Sequence, residues 1–483
     1  MNRYPMGYCN LSVKVEMMMM FFRQYYLGCL SHASYLVGDT STGRAVVVDP
    51  QRDISTYLAD AQAAGLTIER VIETHFHADF LSGHLELAEA TGATISFGEA
   101  AASRTEFPME PLANGQRLHL GEVELEIRAT PGHTPESISI VVFERHDTDP
   151  YGVLTGDTLF IGDVGRPDLL SSAVVSADGL ARQLYHSLHE QLLTLPDATK
   201  LYPAHGAGSA CGKNLSTDTV STIGEQRRTN YALAPMTEDQ FVEAVTQGQA
   251  AAPMYFLFAA NKNREAHGIL QEDEHVRPMS LEEVLDEQRR GAAVIDTRDA
   301  ADFAAGHLCG SINVGLGGRF AEYTGEVVRP GTPIVLVGEP NSEAEARIRL
   351  SRIGFDTVRG ALDRPVQVFL EHPEVVEAAS RLTAEQLNER RGTLAQMQVV
   401  DVRGPGEVEG GMIEGARHIQ LPTLLLHMSE LDPTIPTVVY CAGGYRSSIA
   451  ASTLRAHGFV DVSDVLGGYV AWASTTKGPM NDQ

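Results

Sequence analysis

The sequence is short of cysteine, positive charge and long apolar runs, and each shortage closes a class of function. Five cysteines in 483 residues (Cys9, Cys29, Cys211, Cys309 and Cys441) are too few, too scattered and odd in number for a disulfide framework. A reducing compartment, the cytoplasm, is expected. Lysine and arginine total 37 against 63 acidic residues, a formal charge of −26. Such a surface repels phosphate backbones and anionic lipid, so neither nucleic acid nor a membrane is an expected partner. No stretch approaches the roughly 18 apolar residues of a membrane span. The apolar run at residues 17–22 is too short, is closely flanked by Glu16 and Arg23, and precedes no small-residue cleavage site. Residues 1–23 therefore read as a leader, disordered or passing into a first strand. No Gly-x-Gly-x-x-Gly follows a strand in a dinucleotide-binding context, which leaves a hydride cofactor unsupported.

What is present is apolar material, 43% of the chain, enough for two to four domains with cores of their own. Residues 24–210 alternate strands with helices. The segments 34–37 and 45–48 read as strands, and Ile54, Leu58 and Ala61 keep helical spacing until Gly65. A short apolar strand at 71–74 runs directly into His75-Phe76-His77-Ala78-Asp79, so these side chains emerge at a strand's C-terminal end, where α/β sites collect. Further strands at 123–129, 137–143 and 153–155 each stop at another His or Asp. Residues 211–275 read as helical and connective.

From about residue 280 two similar units follow. The first holds Val294-Ile295-Asp296-Thr297-Arg298, Gly306-His307, Ile334-Val335-Leu336-Val337 and Gly354-Phe355; the second holds Val399-Val400-Asp401-Val402-Arg403, Gly411-Met412, Val438-Val439-Tyr440-Cys441 and Gly458-Phe459, at an offset of 104 to 105 residues. A period that long marks two copies of one domain, since solenoid repeats run about 20 to 50 residues.

Two constellations carry chemistry. His75, His77 and Asp79 are joined by His133 in Thr130-Pro131-Gly132-His133-Thr134-Pro135, Asp157 in Thr155-Gly156-Asp157-Thr158, and His205 in Tyr202-Pro203-Ala204-His205. Imidazoles and carboxylates converging from successive strand ends are what a divalent metal needs. The second constellation is Tyr440-Cys441-Ala442-Gly443-Gly444-Tyr445-Arg446: a strand, a cysteine, a small-residue loop and a helix start. Loop amides and the helix N-terminus stabilise a Cys441 thiolate, and Arg446 adds positive charge for an anionic donor. At the matching place the first copy reads Gly338-Glu339-Pro340, with no cysteine and one loop amide removed by proline. It reads as a degenerate copy that spaces or docks the outer domains, with Cys309 as a packing residue.

The metal motifs resemble the metallo-β-lactamase superfamily, whose pattern is His-x-His-x-Asp-His followed by separate His, Asp and His. The implied fold is α/β multidomain: an αββα sandwich followed by two rhodanese-like α/β domains. Phe80 stands where that pattern has its third histidine, which removes a ligand from the second metal position and argues against a dinuclear zinc hydrolase. Within the superfamily the chain is similar to persulfide dioxygenases. That likeness implies one Fe(II) per chain held by His75, His133 and Asp157, a facial triad with open positions, with His77, Asp79 and His205 orienting ligands or waters. Ligation of zinc by His77 or His205 stays open. The stretch from Asp157 to Asp168 also resembles the dioxygenases and makes Arg166 a binder of a substrate carboxylate or phosphate, although an ion pair with Asp163 or Asp168 fits it equally. Cys211 resembles a cysteine near the iron in rhodanese-fused members.

The loop at Cys441, followed by Leu466-Gly467-Gly468-Tyr469 and Trp472, looks like an active rhodanese, with Cys441 and Arg446 catalytic and Ala442, Gly443, Gly444 and Tyr445 cradling substrate. The implied domains are the dioxygenase with its connector at 24–275, an inactive rhodanese at 276–378 and an active one at 379–483. The resemblance implies that a thiol persulfide, O2 and sulfite or thiosulfate are the reaction partners, that the role is sulfide detoxification, and that the chain forms a homodimer or homotetramer. The competing reading is a glyoxalase-II-like thioester hydrolase fused to a sulfurtransferase.

Overall fold

The computed structural model describes residues 19–146, 148–169, 176–394 and 396–476. Its N-terminal part packs two six-stranded sheets face to face. The first runs in sequence order from Met20–Leu27 to Glu110–Leu112; the second runs from Ser221–Thr222 through Lys200–Pro203, Gly152–Gly156, Ile138–Phe143 and Glu124–Ala129 to Arg117–His119. Period-two alternation builds the layers. In Arg44–Val48, Val46 and Val48 point between the sheets, against Leu125, Ile127, Ile140 and Val142. Ala45 and Val47 face outward, onto Tyr57 and Ala61 of the helix Ser55–Ala63. On the other sheet Val141, Val153 and Leu201 face Leu184 and Phe241 of the helices Ala177–His186 and Glu238–Thr246. The result is the αββα sandwich expected from the motifs.

Strands and helices fall where the periodicity predicts, with shifted ends. The expected strand at 71–74 is Thr67–Ile72, so the histidine motif sits in a loop. Residues 20–23, read as leader, belong to the first strand, where they pair with Leu36–Asp39; Cys9 and residues 1–18 lie outside the described residues. The connector contributes the helices Ile223–Thr229, Glu238–Thr246 and Tyr255–Lys262.

The two C-terminal units are one design repeated. Each has a five-stranded sheet of the same order, Pro278–Met279, Val358–Leu362, Ile334–Val337, Ala293–Asp296 and Ile312–Asn313 in the first, and Ser380–Leu382, Val462–Val465, Thr437–Tyr440, Gln398–Asp401 and Arg417–His418 in the second. Even the buried ion pair recurs: Arg298 to Asp296 and Arg403 to Asp401, each 2.6 Å, with the same guanidinium donating to Gly306 and Gly411 carbonyls. Cys309 differs from its expected packing role, since it is exposed.

The parts are fastened together. Arg52, 2% exposed, pairs with Glu86 of the sandwich and Asp356 of the first copy, and donates to the carbonyls of Gly268 in the connector and Ser351 in the first copy. Arg352 forms a two-pronged pair with Asp53, 2.7 Å on each arm. One apolar cluster runs from Phe80 and Phe160 through Tyr255, Phe320 and Leu350 to Val400 and Ile449. Among the described residues no helix is long and apolar enough to cross a membrane.

Candidate metal centre and sulfur-transfer loop

His75, His133 and Asp157 come together at the ends of three strands, each buried, with their ligand atoms within 4.8 Å of one another. Their hydrogen bonds set the ring tautomers. The Arg166 carbonyl, an acceptor only, takes the His133 Nδ1–H at 2.8 Å. Thr74 Oγ1 donates to Asp49 at 2.9 Å and so accepts from His75 Nδ1 at 3.0 Å. Both Nε2 lone pairs then face the Asp157 carboxylate, at 3.4 Å for His133 and 3.8 Å for His75. Burial, then the charge of His77 beside it, holds His75 well below the ordinary histidine pKa, so it stays neutral. Among the described residues, His75 Nε2 and both Asp157 oxygens are buried with no hydrogen-bond partner. Lone pairs aimed at a carboxylate in a dry site are unfavourable unless a cation sits between them, so this donor set fits a metal ion. Gly132 shapes the His133 loop: at φ +152 it lies so close to Leu184 that an added Cβ would overlap it at 2.4 Å.

His77 faces elsewhere. Its Nε2 lies 3.1 Å from Asp49 and 3.4 Å from Glu73; burial opposes its charge, but the two carboxylates outweigh it and hold its pKa well above the ordinary value. That nitrogen is used in an ion pair. Phe80 closes the space beyond, its ring centroid 4.3 Å from that of His77 and 4.0 Å from that of His32. His205 is aimed inward: Nδ1 donates to the Ser31 carbonyl at 3.2 Å, and Nε2 lies 3.4 Å from both Asp79 and Asp157. Cys211 joins His205 and Asp157, with its sulfur within 4.8 Å of their ligand atoms. Burial and the Asp79 and Asp157 carboxylates push its thiol well above the usual range. Arg166 is buried and forms an ion pair with Asp168, at 2.8 and 2.6 Å; it meets the site through its carbonyl on His133, its amide on the Cys211 carbonyl at 3.1 Å and a terminal nitrogen on the Ala210 carbonyl at 3.3 Å.

Several residues that hold this site carry no motif of their own. Asp49, at φ +50 just past an apolar strand, takes the Thr74 amide at 2.7 Å as well as its hydroxyl. Asn263, in the connector and fully buried, donates to the carbonyls of His77 and Phe80, both at 2.8 Å, and accepts from the Ser82 amide at 2.9 Å. Tyr255 donates to the Asp79 carbonyl at 3.0 Å. A polar residue ending a strand was the only signal for Asp49; the connector residues gave none. Asn263→Ala orphans the buried Ser82 amide, so the protein loses about 1–3 kcal/mol of stability. Metal affinity, measured by chelator competition, falls about 10- to 100-fold. Unchanged affinity would show that the loop holds its shape without the connector.

In the second copy Cys441 sits at the end of Thr437–Tyr440, directly before the helix Tyr445–Ala456. The Gly444 amide donates to its sulfur at 3.1 Å. Gly444 adopts φ +108, a turn open to glycine that points the amide back at sulfur. No side chain stands where a Cβ of Gly443 would project, and Ala442 is half-buried. Arg446 lines the loop with both terminal nitrogens on Glu407, 2.7 Å each. The Tyr445 side chain faces the first copy: its hydroxyl donates to the Gly315 carbonyl at 2.8 Å, and its ring meets Tyr323 edge-on at 5.3 Å.

The first copy keeps the outline of this loop, Asn341 at φ +69 matching Gly444, but not its chemistry. A Cβ at Gly338 would meet Thr297 Oγ1 at 2.3 Å and Ser342 Oγ at 2.8 Å. Gly338→Cys therefore yields no second sulfur-transfer centre: in a Cys441→Ser background the gain in thiosulfate–cyanide turnover is nil, and measurable turnover would contradict this.

The sandwich, the buried donor set and the paired C-terminal units define a metallo-β-lactamase-fold protein fused to rhodanese-like domains. The Metallo-beta-lactamase superfamily model matches residues 27–205, and the Rhodanese-like domain model matches 280–360 and 383–475. The chain is 31% identical over 234 residues to "Persulfide dioxygenase ETHE1, mitochondrial" of Bos taurus, and equally so to that of Homo sapiens, covering 48% of this chain and 82% of each relative. A solved structure titled as a metallo-beta-lactamase from Staphylococcus aureus subsp. aureus COL is 34% identical, with a TM-score of 0.66, over 71% of this chain and 99% of that one. The chain belongs to the persulfide dioxygenase family of the metallo-β-lactamase superfamily, in fusion with two rhodanese-like domains.

Proposed function

We propose that the chain oxidises a thiol persulfide with O2 at a single ferrous ion held by His75, His133 and Asp157, and passes sulfane sulfur through Cys441. The observation that carries this reading is the donor set itself: two imidazoles and one carboxylate, with unpartnered buried atoms of His75 and Asp157 facing each other among the described residues. Such a facial triad suits Fe(II) and leaves positions for O2 and a substrate sulfur, which is the chemistry the ion supplies. In balance, RSSH, O2 and H2O give RSH, sulfite and two protons; the outer sulfur loses the four electrons that O2 gains. The chain's residues exclude competing ligands and fix the donors. The imidazolium of His77 balances Asp49 and Glu73, Phe80 fills the place of a further ligand, and the buried thiol of Cys211 lies beside His205 and Asp157.

At the second site the Cys441 thiolate attacks the outer sulfur of another persulfide and releases RS⁻. Sulfite then attacks the outer sulfur of the Cys441 persulfide, giving thiosulfate and restoring the thiolate. The reverse direction draws persulfide from thiosulfate. The setting is sulfide detoxification in a cytoplasmic homo-oligomer.

Metal stoichiometry separates this reading from a thioester hydrolase, which calls for two metals. Anaerobic titration with ferrous ion is expected to saturate at one equivalent per chain. Two tightly bound zinc ions together with hydrolysis of S-lactoylglutathione would give the site to the hydrolase.

A further inference from the structure

A cavity of about 780 Å³ lies where the sandwich, the first copy and the second copy meet. Its walls include the loop around Cys211, through Ser209 and Lys213, and the loop after Cys441, through Arg446. The third wall is the helix Phe320–Val327 of the first copy, with Arg319 just before it and Glu322 and Glu326 one turn apart along it. Each of the three parts therefore contributes one cation, Lys213, Arg319 or Arg446, to a single cleft, which Glu407 and Glu409 also line, in a chain of net charge −26.

Two of the side chains facing this space have unmet bonding capacity, while Arg446 is paired with Glu407 and Lys213 donates to the Ala244 and Gln247 carbonyls. Arg319 pairs with Glu322 through a terminal nitrogen, while among the described residues its buried Nε has no hydrogen-bond partner. Glu326 is 6% exposed and its Oε2 has no partner either. Burial raises Glu326 well above the carboxylate range and lifts Glu322 to about 7, so the wall carries less negative charge than its composition suggests. The Tyr445 hydroxyl on the Gly315 carbonyl fixes the sulfur-transfer loop to this same wall.

We propose that the copy without a loop cysteine forms the wall of a shared cleft, in which Arg319 binds the sulfur oxyanion made at the metal centre on its way to Cys441. This rests on the two-site reading above. A sulfite dianion leaving the metal centre meets either the cationic groups of this cleft or a strongly anionic exterior, and retention in the cleft raises its concentration near the second site. The sequence change that silenced the first copy leaves this wall intact.

The test uses the full-length ferrous protein, glutathione persulfide as the probe, and excess sulfite oxidase, an enzyme too large to enter the cavity, to turn escaping sulfite into sulfate. Wild type is expected to yield chiefly thiosulfate. Arg319→Gln is expected to raise the sulfate-to-thiosulfate ratio about tenfold, the value of one charge-assisted contact, and Arg319→Lys to return it toward wild type. An equimolar mixture of His133→Ala and Cys441→Ser chains, which separates the two activities, sets the ratio for free diffusion. A wild-type ratio equal to that of the mixture, or an Arg319→Gln ratio equal to that of wild type, overturns the proposal. Failure of the underlying reading looks different: no sulfur oxyanion forms in any sample.

Discussion

His133→Ala is expected to abolish persulfide-dependent oxygen uptake, lowering it at least about 10²- to 10³-fold, the scale on which a preorganised site loses function when one group is removed. The physical reason is in the hydrogen bonds. The Arg166 carbonyl fixes the His133 ring so that Nε2 faces Asp157 at 3.4 Å, and alanine leaves only His75 and Asp157 as ligands. Metal content should fall with activity. Thiosulfate–cyanide sulfur transfer at Cys441 should persist, because that loop belongs to a different sheet. Loss of both activities together would mean that the variant fails to fold; oxygen uptake persisting with metal still bound would mean that His133 is not a ligand.

Cys441→Ser has the converse effect. Serine is a far weaker nucleophile at neutral pH, so sulfur transfer falls by more than about 10³-fold. Oxygen uptake continues and the product changes from thiosulfate to sulfite, which quantification of both anions would show. The prediction follows from the proposed role of Cys441, whose sulfur accepts from the Gly444 amide at 3.1 Å. Thiosulfate formation surviving in this variant would move the transfer step elsewhere, with buried Cys211 the first place to look.

Much of this was legible in the chain. His75, His133 and Asp157 stand out because ligands must sit at strand ends, and strands announce themselves by alternation. The repeat was visible because Asp296-Thr297-Arg298 and Asp401-Val402-Arg403 preserve a buried ion pair that both copies make. Other features depended on which direction a side chain takes, and spacing does not encode direction. Arg166 turns to Asp168, Tyr445 reaches into the neighbouring copy, and Cys309 is exposed. Neither Asn263 nor Tyr255 belongs to a motif, yet both hold the backbone of the His77–Ser82 loop from the connector. Their role follows from long-range packing that brings residues about 180 positions apart into contact, which a local pattern does not contain.

The central claim is that one metal held by two histidines and an aspartate oxidises persulfide sulfur. Its most direct test is oxygen consumption by anaerobically loaded ferrous Cys441→Ser protein given glutathione persulfide, with sulfite quantified alongside. Equimolar O2 consumed and sulfite formed, both lost when His133→Ala is added to the same chain, is the predicted result. No oxygen uptake with any thiol persulfide, while the zinc-loaded protein cleaves a thioester, would contradict it.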